Sequence, residues 1–124
     1  MDFAQSSRSQ QLAARLTEFI AERVLAGEAD AAERAAAPDQ EPATVERLKA
    51  EAKAAGLWNL CVRDSERGPG LSFVDYGPLA ELLGPSRLAQ EATNCDAPTN
   101  INGDAMNLYG TVEQHKRWLE PQPT

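Results

Sequence analysis

A chain of 124 residues with a formal net charge of −7 has room for one domain with a modest core and not for two. Its Lys and Arg residues are scattered among acids, which argues against a nucleic-acid binder and disfavours anionic membrane surfaces. Hydrophobic residues make up 42%, but much of that share is alanine and only three Phe, two Trp and two Tyr offer large apolar surfaces, so a thin helical layer needing a partner to complete its burial is expected.

Residues 7–24 read as an amphipathic helix. Leu12, Leu16, Phe19, Ile20 and Val24 recur at helical spacing, with Arg8, Arg15, Glu18 and Glu22 toward the other face. Ser7 with Gln10 three later has the form of a capping box, and Gly27 is the expected stop. Residues 28–41 are Ala-rich and charged with no large apolar side chain. Propensity allows a short helical piece at 30–36, but nothing in the pattern anchors it, and Pro38 and Pro42 bound a loop expected to be mobile. A second helix is predicted over 43–55, with Pro42 at its first turn and Val45, Leu48, Ala52 and Ala55 as its apolar stripe. Glu46, Lys49 and Lys53 cover its wet face. Gly56 followed by Leu57 and Trp58 suits a Schellman stop, and 57–62 reads as an extended or turning apolar stretch in the core.

Residues 63–70 form a polar loop. Ser72 caps the next helix, with Asp75 in the capping-carboxylate position and Leu71 and Tyr76 as a hydrophobic staple. Pro78 predicts a kink or a restart, with Leu79, Leu82 and Leu83 buried and Gly84-Pro85 closing the helix. Ser86 caps a helix running to about Asn94. Residues 94–103 are ambiguous: Thr99 and Asn100 look like a cap, whereas Asn102-Gly103 looks like a turn. Met106, Leu108 and Tyr109 carry an apolar face to Gly110. Thr111 with Gln114 then opens a helix bearing Trp118 and Leu119, which Pro121 ends. No alternating strand pattern of useful length occurs. The chain reads as all-α, a bundle of about six short helices over residues 1–121 with a tail at 122–124.

Few residues suggest chemistry of their own. Cys61 and Cys95 are expected as buried free thiols, against a disulfide or a metal or redox sensor built on the pair. His115 lies beside Lys116 and Arg117 on an expected exposed face and lacks further ligands at metal-binding spacing. Gly68-Pro69-Gly70 lacks the lysine and preceding strand of a phosphate loop and reads as a turn. Glu113 sits in the first turn after the Thr111 cap, where its charge favours the helix end, and Glu81 and Glu91 read as solvated helix charges. These patterns designate no catalytic, cofactor-binding or metal-binding residue. No apolar run approaches the ~18–20 residues of a membrane span, and the first residues carry no secretory signature. A cytoplasmic location is the expectation.

The segment Tyr109-Gly110-Thr111-Val112-Glu113-Gln114-His115-Lys116-Arg117-Trp118-Leu119-Glu120-Pro121 closely resembles the one closing the N-terminal helical domain of acyl-CoA dehydrogenases. Upstream, Ala55-Gly56-Leu57-Trp58-Asn59-Leu60 is similar to the segment after that domain's second helix. Gly70-Leu71-Ser72, followed by Tyr76-Gly77-Pro78-Leu79-Ala80-Glu81-Leu82-Leu83-Gly84, matches a further family motif. Asn94-Cys95-Asp96-Ala97-Pro98 resembles the pattern of a subgroup active on long or branched acyl chains. The motifs agree in order, and the resemblance covers essentially the whole chain after Gln10.

That resemblance implies a larger enzyme, in which a middle β-domain and a C-terminal helical bundle hold FAD and a carboxylate base, neither expected within this chain. The family removes the proton alpha to an acyl-CoA thioester carbonyl and passes a hydride from the beta carbon to flavin. Mapped onto this sequence, the helix facing flavin and the fatty chain places Asn94, Ala97, Pro98 and Ile101 as substrate-contacting residues on one wall of the pocket. The same four positions also suit plain interhelical packing. On this reading the chain alone holds no flavin and is inactive; its partners are acyl-CoA, the complementary domains and a possible second copy of itself. The family pattern does not continue through Gln122-Pro123-Thr124, which leaves a truncation or a split subunit as explanations. The alternative is a free-standing helical protein-interaction module.

Overall fold

The computed structural model describes residues 3–35 and 43–120, and the side chains of 31–35 and 98–101 lie outside that description. The loop expected around Pro38 and Pro42, the helix end expected at Pro121 and the tail all fall outside the described residues. Among the described residues there is no strand, and the helices form six rods. The first is α1 (Ser7–Phe19), continued through a π turn (Ile20–Val24) into α2 (Leu25–Ala35). Next come α3 (Ala43–Ala54), α4 (Phe73–Leu83), α5 (Arg87–Ala92) and α6 (Ala97–Tyr109). A short α7 (Val112–Gln114) runs directly into a second π segment (His115–Leu119).

The capping residue of α1 is Ser6 and not Ser7: the Ser6 side chain accepts the Ser9 N–H. This shift of one frees Ser9 to face inward, where its hydroxyl donates to the Asp75 carbonyl at 2.6 Å. In return the Asp75 carboxylate accepts the Ser6 N–H at 2.8 Å, and Ser72 caps α4 by accepting the Asp75 N–H. The starts of α1 and α4 are thus locked together through polar groups, with Leu12, Leu16, Leu79 and Leu83 buried in the shared core.

Gly27 does not end the first rod. It sits inside α2, and a Cβ there would lie 3.0 Å from Thr44 Cγ2 and 3.4 Å from Leu48 Cδ1. The residue is a close-approach point that lets α2 lie against α3. The expectation that nothing anchors this segment is also corrected. Thr44 donates to the Asp30 carboxylate, and Ser86 donates to Glu28 at 2.6 Å while capping α5 through the Ala89 N–H. Polar side chains hold α2 where a search for apolar periodicity finds nothing.

The Schellman ending of α3 is present in full: Leu57 N–H reaches the Ala52 carbonyl and Gly56 N–H the Lys53 carbonyl, with Gly56 at φ +65°. Leu57 and Leu60 are buried, whereas Trp58 is only half-covered and Ala55 is exposed. Helix α4 runs unbroken through Pro78, so no restart occurs. The proline removes one backbone bond near the helix start, and Val74, whose carbonyl loses that donor, lies at the surface where water can replace it. Helix α5 ends at Ala92, earlier than expected, because Asn94 turns into the left-handed region at φ 55°. The ambiguous stretch resolves as helix. Asp96 is the capping position of α6, and Thr99, Asn100, Asn102 and Gly103 lie within it.

Candidate functional site

The corner joining α5 to α6 is built by two asparagines in left-handed conformation, Asn59 at φ 58° and Asn94 at φ 55°. Asparagine tolerates this region better than most residues because its short polar side chain bonds locally. Here the bond spans the fold: Asn94 Nδ2 donates to Asn59 Oδ1 at 2.6 Å. Asn59 N–H donates to the Thr93 carbonyl, and Asn59 Nδ2 to the Arg67 carbonyl at 2.8 Å. The turn after α3, the polar loop and the α5–α6 corner therefore meet at one buried amide.

Of the four positions mapped as substrate contacts, Asn94 sits at this corner with its amide nitrogen committed to Asn59. Ala97 opens α6 and is exposed. Pro98 and Ile101 lie on the α6 backbone, and their side chains fall outside the described residues. Further along α6, Ala105, Leu108 and Tyr109 are exposed, and Val112 follows on α7. These groups suit contact with a ring face or a methylene chain and bring no charge for a pyrophosphate.

Beneath the corner lie Cys61, half-buried, and Cys95, buried; neither is in a disulfide. Cys61 Sγ lies 3.7 Å from the Asn94 carbonyl oxygen and Cys95 Sγ 3.5 Å from that of Thr93. The Cys61 hydrogen bond draws the Cys95 thiol down to about 7, with Thr93 and Tyr76 adding to the effect. The same bond, reinforced by burial, pushes Cys61 up. Burial also raises the Tyr76 phenol, whose neighbours include both sulfurs. Sequence reading weighed the two cysteines as a pair and favoured buried thiols outside a disulfide; the Asn59–Asn94 latch holds together the turns that carry them.

His115 is half-buried, contrary to its expected exposure, with Nε2 2.8 Å from the Met106 carbonyl oxygen. A Cβ on Gly110 would come within 2.4 Å of that oxygen, so glycine is what allows α6 and the last helix to close. The capping box predicted at Thr111 and Gln114 is present. Among the described residues no group of three or more His, Cys, Asp or Glu could hold a metal ion. Nor is any helix among them long and apolar enough to cross a membrane. A groove of about 740 Å³ that sequence reading missed lies between α1 and the 56–69 stretch, lined by Arg8, Arg15, Trp58 and Pro69.

These features define an all-helical domain with a buried core and an apolar flank along α6. The family model for the N-terminal domain of acyl-CoA dehydrogenases matches residues 6–122, and the chain belongs to that family. It is 40% identical, over 98% of its length, to a probable acyl-CoA dehydrogenase, FadE2, of Mycobacterium tuberculosis. It is 39% identical, over 96% of its length, to acyl-CoA dehydrogenase family member 11 of Mus musculus. A solved structure from Mycobacterium abscessus assigned as an acyl-CoA dehydrogenase superposes with a TM-score of 0.85 at 40% identity, covering 95% of this chain and 32% of that one. The chain spans 30% of the M. tuberculosis relative and 16% of the mouse one.

Proposed function

We propose that residues 1–121 serve as the N-terminal helical domain of a cytoplasmic, flavin-dependent acyl-CoA dehydrogenase, an enzyme that introduces an alpha,beta double bond into an acyl-CoA thioester. The observation that carries this reading is the exposed apolar flank of α6 and the corner after it, Ala97, Ala105, Leu108, Tyr109 and Val112, on a chain whose relatives bear the name of that activity. Asn94, Ala97, Pro98 and Ile101 form one wall of the acyl and flavin pocket. Asn94 acts chiefly by shape, since its amide nitrogen is already bonded to Asn59. FAD and the base belong to complementary β and C-terminal helical domains, and when bound the flavin accepts the hydride. The residues of this chain exclude water and orient the acyl chain. Alone, the chain is inactive and binds no flavin.

The test joins this chain to the flavin and C-terminal domains of the M. tuberculosis relative. The fusion is expected to be yellow and to bleach on adding acyl-CoA. Ala97→Trp should then lower kcat/KM by about tenfold with flavin content unchanged, since it fills acyl space. Equal rates for the two fusions would refute the wall assignment. The exposed Leu108, Tyr109 and Trp118 also suit a free-standing interaction module. A chain that fails to complement the other domains, yet keeps its fold, would favour that reading.

A further inference from the structure

We propose that Cys61 and Cys95 form an oxidant-responsive dithiol, which a hydroperoxide converts into a disulfide tying the 57–62 turn to the α5–α6 corner. The geometry comes first. Cys61 and Cys95 point at consecutive carbonyls, those of Asn94 and Thr93, at 3.7 and 3.5 Å. The backbone around them is already clamped by Asn59 N–H to the Thr93 carbonyl and by Asn94 Nδ2 to Asn59 Oδ1. The two thiols and the Tyr76 phenol cluster closely enough that each bears on the ionisation of the others. Cys61, half-buried, is the outer thiol of the pair, and Cys95 the buried one.

The chemistry follows from that arrangement. The thiolate is the nucleophilic form, and with Cys95 drawn down by its neighbours and Cys61 pushed up, the first proton leaves Cys95 while Cys61 keeps its own. The Cys95 thiolate attacks one oxygen of hydrogen peroxide, the O–O bond breaks, and the products are a Cys95 sulfenic acid and hydroxide. Hydroxide takes the Cys61 proton to form water. The Cys61 thiolate then attacks the Cys95 sulfur, the S–S bond forms, and the S–O bond breaks to release hydroxide. The two sulfurs together lose two electrons, and the peroxide gains them. Cys95 is buried, which restricts the first step to an oxidant about the size of water, whereas half-buried Cys61 is the accessible partner. The cross-link would fix the corner that carries Asn94 and leads into α6.

The full 124-residue chain is reduced, freed of reductant and treated with hydrogen peroxide under native conditions. Both thiols should disappear together, the intact mass should fall by two hydrogens, and digestion should yield one peptide pair linking Cys61 to Cys95. No disulfide should join two chains, and dithiothreitol should restore both thiols. In Cys61→Ala, Cys95 should stop at a sulfenic acid trapped by dimedone, reacting about tenfold more slowly because the neighbouring group that draws it down is gone. Cys95→Ala should leave Cys61 largely unreactive. Circular dichroism establishes that each variant is folded, and the wild-type mapping stands without either variant. Disulfides only between chains, sulfinic acid on Cys61 with Cys95 intact, or thiol loss only in denaturant would each overturn the proposal.

Discussion

Single side chains in this protein do more structural work when polar than the apolar pattern alone conveys. Asn59 is the clearest case: it is buried, adopts φ 58°, and its amide serves both the Arg67 carbonyl and Asn94. Asn59→Ala should cost roughly 2 kcal/mol, from the left-handed backbone and the orphaned buried partners together, measured by urea denaturation. Asn59→Gly should recover part of that loss by relieving the backbone alone. A loss of equal size in both variants would show that the strained conformation contributes nothing. Asp75 is a second case, and its effect depends on pH. Its carboxyl is held below the ordinary carboxylate range chiefly by the Ser6 N–H, so the folded pKa lies below the unfolded one. The resulting stability is present above the unfolded value and is lost as pH falls through the folded one, on the acid side of about 4. Asp75→Asn should therefore flatten the fall of Tm over that acid range; an unchanged profile would remove Asp75 from the account. Neither residue's partner was legible in the sequence. Ser72 and Asp75 read correctly as a cap, but the bond from Asp75 to Ser6 crosses between helices, and no local pattern encodes a crossing.

At the level of elements, legibility followed the strength of local signals. The Schellman stop at Gly56, the caps at Ser72 and Ser86 and the box at Thr111 were all predicted, because each is a short-range arrangement of residue types. Errors arose where tertiary contacts overrode local preference. Gly27 carries a helix-ending signature, yet it is retained inside α2 because Thr44 and Leu48 leave no room for a side chain. The preceding π turn at Ile20–Val24 keeps Val24 buried and carries the rod onward. Gly27→Val should consequently push α2 off α3 and cost about 1–3 kcal/mol by thermal unfolding, despite replacing a poor helix former. Gly27→Ala should lie near neutral, as its gain in helix propensity of about 1 kcal/mol offsets a contact at 3.0 Å. If valine proved as stable as alanine, the close packing of α2 on α3 would not be what selects glycine. Pro78 shows the converse. Its local signature predicts a break, but one missing bond near the surface is tolerated inside a rod whose buried face carries Leu79 and Leu83.

Across the molecule, the all-helical layer expected from composition is what forms, and among the described residues its core is mainly leucine, with Val24, Val45, three alanines, Cys95 and Phe19. Most of the other aromatic groups lie at its edge or outside it, Tyr76 packing against it and Trp58 half-covered. Tyr109 is 85% exposed, Phe73 71% and Trp118 48%, whereas a self-sufficient domain would use such area to close its core. The proposed wall rests on family resemblance alone, since composition and spacing single out none of Asn94, Ala97, Pro98 and Ile101. The sequence raised Cys61 and Cys95 as a pair but gave no sign of their approach, because it depends on a latch between two distant turns. Uncovered apolar area has a physical consequence for the chain by itself. Leu108, Tyr109 and Val112 fall within five positions around the α6–α7 corner and are each more than half exposed. Removing them from water is favourable at about 25 cal/mol per Å², so a second copy or a complementary domain should cover them. Sedimentation velocity should show reversible association rising with concentration, together with binding of a hydrophobic dye. Tyr109→Ser combined with Val112→Asn should abolish both while leaving Tm nearly unchanged, because neither side chain supports the core. A wild-type chain that stays monomeric at high concentration and leaves the dye dark would show that this flank does not require covering, and would take away the physical reason for placing it against another domain.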